Sequence, residues 1–166
     1  MFKRLCAPQW EAVLFSTSLL LSAAAFSQDL AVADFEAKEK WNDDQKEVWA
    51  VIVEWNRAFA ENDPQEYFQH IDDEITVITP GNPYRIVGIF HDRTEFEFAL
   101  SNGSSKVGYF QMLQPLVRVY GDAAVVTYYS RGYYGADDGQ TRYFKETNVV
   151  SRQSGIWKIV HIHLSE

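Results

Sequence analysis

Two histidines stand two apart near the C-terminus, in the run Ile156-Trp157-Lys158-Ile159-Val160-His161-Ile162-His163-Leu164. On a strand that spacing turns both rings to one side, together with Trp157 and Ile159. A His-x-His pair is the start of a metal site, but a third protein ligand is needed. Glu146 on the neighbouring strand is the only obvious one, since His70 and His91 lie in other elements. The expectation is no metal and no cofactor, with the pair serving packing, hydrogen bonding or ligand contact. The same alternation gives Arg142, Phe144, Glu146, Asn148 and Val150 one face, and Tyr143, Lys145, Thr147 and Val149 the other. The first set mixes charge, amide and apolar groups, which suits a polar site in an apolar wall. Glu146 with Tyr128 is the minimal acid–base pair, so Glu146 is the candidate catalytic residue. Asp72, Asp73 and Glu74 read as solvated loop carboxylates. No Ser-His-Asp order, glycine-rich phosphate loop or nucleophile motif is present.

The elements that must position these groups follow from periodicity. From about Asp43, Val48, Ile52, Trp55 and Phe59 fall at helical spacing, with Val51 beside them, on one apolar face. Trp55 is a core residue that can also line a pocket. Asn62-Asp63-Pro64 stops that helix, and Asp63 can cap a short second one with Pro64 at its first position. Ile75–Thr79 reads as a strand, Pro80–Pro83 as a turn and Tyr84–Val87 as a short strand. Asp92–Ser101 reads as a helix with Phe96 and Leu100 inward. Strands over Val107–Tyr120, Ala123–Tyr134, Thr141–Ser151 and Ile156–Leu164 follow, joined by hairpins. Helices first and a long meander after them describe an α+β domain, with helices on one face of a curved antiparallel sheet.

Residues 1–27 read as a secretory signal peptide. Lys3 and Arg4 precede an apolar run from Ala12 to Phe26, and Ala25 and Ser27 are small residues at the cleavage offsets. The run is too short and wrongly flanked for a membrane span. Residues 28–42 read as a flexible leader and 43–166 as the folded domain. The expected location is periplasmic or secreted, with no membrane attachment after cleavage. Cys6 is the one cysteine and lies in the signal, so the mature chain has no disulfide or thiol nucleophile. About 140 residues remain, enough for one domain and too few for two ordinary ones. The net charge of −8 without basic tracts argues against nucleic acid or anionic lipid as partner. Tyr120, Tyr128, Tyr129, Tyr133, Tyr134 and Tyr143 crowd the central strands, and alternation must turn some outward. Aromatics on both faces suggest a second buried surface, which a homodimer interface on the convex face supplies better than a sugar-binding platform does.

The C-terminal half carries a family resemblance. Gln114-Pro115-Leu116-Val117-Arg118-Val119-Tyr120-Gly121-Asp122-Ala123-Ala124 resembles the "NPxVxVxGxDAA" stretch of the association domain of calcium/calmodulin-dependent protein kinase II. Lys145-Glu146-Thr147-Asn148-Val149-Val150 resembles its "EETRVW", and Gly155–Ser165 its "GKWxxVHxHxS" ending. Upstream, Ile86-Val87-Gly88 before a helix holding Phe96 is similar to its "VEG…F". The resemblance covers about residues 45–165. It implies the cone-shaped fold of the nuclear transport factor 2 superfamily, which includes ketosteroid isomerase and SnoaL-like cyclases. That fold holds a pocket between helices and sheet, and commonly dimerises through the sheet. The resemblance also implies that His161 and His163 match the family's terminal pair, which packs and lines the pocket. The association domain has an arginine-rich pocket suited to carboxylates. Here one such arginine falls on Asn148, another keeps the face of Arg142, and a third falls nearest Ser130, with Arg131 facing the other way. Anion binding therefore does not simply carry over. Arg142 also reads as a solvated residue near a hairpin, and Arg118 and Arg131 as surface or interface residues.

The leading functional expectation is an exported homo-oligomeric module that binds a small molecule through Trp55, Tyr128, Arg142, Glu146, Asn148, His161 and His163. A SnoaL- or ketosteroid-isomerase-like enzyme that moves a proton on a small cyclic or carbonyl substrate is the alternative. A purely structural oligomerisation module is the other. No kinase segment is present, so kinase activity is not implied.

Overall fold

The computed structural model describes residues 40–103, 107–134 and 140–166. The signal segment 1–27, Cys6 and nearly all of the leader lie outside them. Helix α1 spans Asp43–Glu61. Asn42 and Gln45 close a reciprocal capping box, each side chain bonding the other's backbone N–H. The Gln45 amide also reaches Val117 O at 2.8 Å, which ties the helix start to the sheet. Trp41, the last leader residue but one, is buried and meets Trp49 edge-on at 6.0 Å, so the folded unit begins just before α1. Asn62 ends α1 in the left-handed conformation, and Asp63 caps helix α2, Pro64–Gln69, with Pro64 at the first turn. These punctuation marks match the sequence reading.

Among the described residues, six strands form one sheet: β1 Ile71–Ile78, β2 Ile86–Val87, β3 Val107–Tyr120, β4 Ala123–Tyr134, β5 Arg142–Gln153 and β6 Ile156–Ser165. Helix α3, Ile89–Asn102, lies between β2 and β3 in sequence. The spatial order is β2-β1-β6-β5-β4-β3, and the sheet is curved and unclosed. The long meander β3–β6 is antiparallel as expected, but β1 joins β6 in parallel. Ile71 opens β1, so Asp72, Asp73 and Glu74 sit on a strand rather than in a loop. The helices cover one face of the sheet. Ile52, Ile75, Val126, Val150, Ile159 and Ile162 form the dry centre between the layers, each contributing about 1.5–3 kcal/mol through apolar burial.

Among the register irregularities of the sheet, two decide which side chains face inward. In β3 the register slips between Leu113 and Leu116, where Gln114 takes φ 52° and Pro115 is buried. In β6, Val149 pairs with His161 while Val150 pairs with Ile159, so Val160 is an extra residue. That bulge reverses the alternation. Trp157 and Ile159 point to the core before it, and Ile162 and Leu164 after it. At one more position the strands approach too closely for any side chain. A Cβ on Gly132 would meet Tyr109 O at 2.2 Å, so β4 needs glycine there. Among the described residues, no helix is long and apolar enough to cross a membrane.

Candidate functional site

Between α1, α3 and the inner face of the sheet lies a cavity of about 420 Å³. Its walls are aromatic because α1, α2 and α3 each send rings to the same place. Tyr67 stacks on Phe96 with centroids 4.6 Å apart, Trp55 lies 5.4 Å from Tyr67, and Phe59 lies 6.0 Å from Phe96. Phe110 and Phe144 complete the wall from β3 and β5. The exposed turn Pro80-Gly81 lies at the mouth.

Glu146 lines this cavity and is 5% exposed. The Tyr128 hydroxyl donates to Glu146 Oε2 at 2.6 Å. It accepts in turn from the Asn56 amide at 3.0 Å and the Asn148 amide at 3.4 Å, while Asn56 also donates to Ile52 O at 2.9 Å. A phenol has one proton, and here it is committed to Glu146, so the amides orient the phenol and the phenol orients the carboxylate. Burial pushes Glu146 above the ordinary carboxylate range, opposed by the nearby Ser130 hydroxyl and by the hydrogen bond from Tyr128. Tyr128 is held well above 10, first by burial and then by the neighbouring Glu146 charge.

Asp92 lines the cavity from α3. It is 6% exposed, and its Oδ2 has no hydrogen-bond partner. Burial, with a smaller contribution from Glu95, raises it from 3.8 to about 6. Tyr67 feels both carboxylates. Its hydroxyl is pushed well above 10 by burial and then by the charge of Asp92, with Glu146 contributing less.

Of the residues singled out from sequence, Trp55 and Glu146 line the cavity. Tyr128 and Asn148 lie behind Glu146 as its support. Arg142 keeps the expected parity but sits exposed at the start of β5, outside the cavity. His161 and His163 do not share a side with Trp157 and Ile159, because the Val160 bulge turns both to the outer face. There His161 Nδ1 and Thr76 Oγ1 share a hydrogen bond of 2.7 Å. Burial first and then His163 lower the His161 pKa, which favours neutral imidazole. Among the described residues, no group of three His, Cys, Asp or Glu side chains could hold a metal ion. The sequence reading missed Asn56, Tyr67 and Asp92. Asp92 looked like a first-turn acid at a helix start. Its only other signal was the Phe96 four residues on, which shares its face.

The calcium/calmodulin dependent protein kinase II association domain matches residues 44–166, and the chain belongs to that family. The association domain of the Caenorhabditis elegans kinase (C. elegans CaMKII) is 30% identical, with 75% of this chain and all 100% of that one covered at a TM-score of 0.62. The S. rosetta CaMKII hub is 28% identical over 75% of this chain and 98% of that one, with a TM-score of 0.66. An NTF2-like protein of unknown function from Pseudomonas putida KT2440 has 22% identity, 74% and 85% coverage and a TM-score of 0.67, a likeness of fold. Ketosteroid isomerase-like and cystatin-like structures are also similar. No curated protein matches the chain.

Proposed function

We propose that this chain is an exported, self-associating small-molecule-binding domain whose ligand occupies the cavity between α1, α3 and the sheet. One observation carries the reading: a buried carboxylate, Glu146, forms part of an aromatic cavity and is fixed there by Tyr128, Asn56 and Asn148. Burying a carboxylate costs several kcal/mol unless a partner compensates it. A purely structural domain gains nothing by holding one at the wall of an open cavity. Export rests on the sequence of residues 1–27, and self-association on family membership and the exposed Leu116, Tyr120, Tyr129 and Tyr143.

The test is a thermal-shift screen of small amphiphiles against the purified chain, wild type and Glu146→Ala. Stabilising compounds should lose about tenfold or more in affinity on the variant, with the fold retained. Equal affinity on both would reject the site. Proton-transfer catalysis is a second reading, favoured by Asp92 at about 6 in the same cavity as Glu146. Solvent-deuterium exchange into a bound cyclic ketone, lost in Asp92→Asn or Glu146→Gln, would support it, and its absence would leave binding alone.

A further inference from the structure

We infer that the ligand of this cavity is an organic cation, an amine carried on an apolar or aromatic body. The inference rests on the cavity being a binding site. Its first support is the sign of the charged groups. Glu146 lines the cavity from β5, Asp92 from α3, and the exposed Glu95 lies nearer solvent, whereas no Lys, Arg or His is among the described residues that line it. Arg93, next to Asp92, is turned away and stacks over the Phe68 ring at 4.2 Å.

The second support is an unmet bond. Asp92 Oδ2 is buried and has no hydrogen-bond partner, in a residue that is only 6% exposed. An ionised oxygen in that position needs a donor, and an ammonium group brings up to three. Near neutral pH the Asp92 carboxyl is largely ionised even after its rise to about 6. Glu146 differs, because Tyr128 already satisfies one of its oxygens. Asp92 is thus the carboxylate with the greater need.

The third support is the wall. Trp55, Phe59, Tyr67, Phe96, Phe110 and Phe144 present π-systems around the carboxylates. Ring faces attract cations and pack apolar carbon equally well, and they repel an anion placed over them. A net charge of −8 on the whole chain draws cations toward the mouth and slows the approach of anions. A volume of about 420 Å³ accommodates one aromatic ring with a short amine tail.

Isothermal titration of the full chain with phenylbutylamine, phenylbutanol and phenylbutyrate separates charge from shape. The amine should bind about tenfold or more tightly than the alcohol, and the acid least. Asp92→Asn should remove about tenfold from amine binding and leave the alcohol unchanged, with Glu146→Gln acting in the same direction. Glu97→Gln, on the exposed side of α3, should change neither. The inference is overturned if the alcohol or the acid binds as well as the amine, an outcome that keeps the cavity as a site. Failure of all three to bind overturns the inference and the cavity reading together.

Discussion

The two faces of the β5–β6 ladder carry polar residues at similar spacing, yet they do different things. On the inner face Glu146 and Asn148 are buried and joined through Tyr128 into one hydrogen-bonded unit. On the outer face His163 is exposed and His161 half-buried, with Thr76 as its partner. A buried polar group without partners costs 1–3 kcal/mol, so the inner set must be arranged as a whole. An exposed group has water and need not be. What separates the two sets is a single residue. Val160 is the extra position that sends His161 outward and Ile162 inward. Residue type and spacing therefore do not define a site on a strand until its bulges are known.

Placing a charge at Ile162, the first inward residue after the bulge, attacks that separation directly. Ile162→Asp would bury a carboxylate without a partner at a position that is 2% exposed. The loss should exceed about 4 kcal/mol, enough to leave no cooperative unfolding transition by circular dichroism. An Ile162→Asp variant that melts like the wild type would mean that the bulge does not turn Ile162 into the core.

The carboxylates of the inner face should leave a mark on stability against pH. The folded chain holds the Asp92 proton up to about pH 6, while the unfolded chain releases it near 3.8. Stability is therefore lost as pH rises from about 4 to about 6, and Glu146, also raised, adds a contribution of the same sign. Asp92→Asn removes the Asp92 part and should raise stability at pH 7 by about 3 kcal/mol, measured by urea unfolding at several pH values. If Asp92→Asn is no more stable at pH 7 than at pH 4 relative to wild type, the carboxylate is not desolvated as described.

Matched deletions of one polar group from each face give the smallest effects. Tyr128→Phe leaves Glu146 and two amides without their shared partner and should cost about 2 kcal/mol. His163→Ala, outside the cavity and exposed, should change stability by less than about 0.5 kcal/mol. Denaturant midpoints at constant slope compare the two, and equal costs would erase the distinction between the faces.

Much of the fold was legible because the signals were local. Asn62-Asp63-Pro64, the apolar face of α1 and the hairpin turns are written in consecutive residues, and the elements formed where they point. Family motifs spread over the C-terminal half supplied the architecture. The parallel pairing of β1 with β6 has no local signal, since it joins residues far apart in sequence. The inward facing of Phe144, Glu146, Asn148 and Val150 was legible because strand parity holds along β5. The facing of His161 and His163 was not legible because a bulge leaves no mark in residue type, and the place of Arg142 outside the cavity was not because parity does not tell how far the cavity extends. Asp92, Tyr67 and Asn56 converge only when three helices pack, and that is a tertiary fact.

A crystal of the chain soaked with phenylbutylamine is the most direct test of the central claim that the inner cavity is the ligand site. The ring should lie between Trp55 and Phe96, with its nitrogen within hydrogen-bond distance of Asp92 or Glu146. An amine seated on the outer face beside His161 and His163, with the cavity empty at saturating concentration, would contradict the claim.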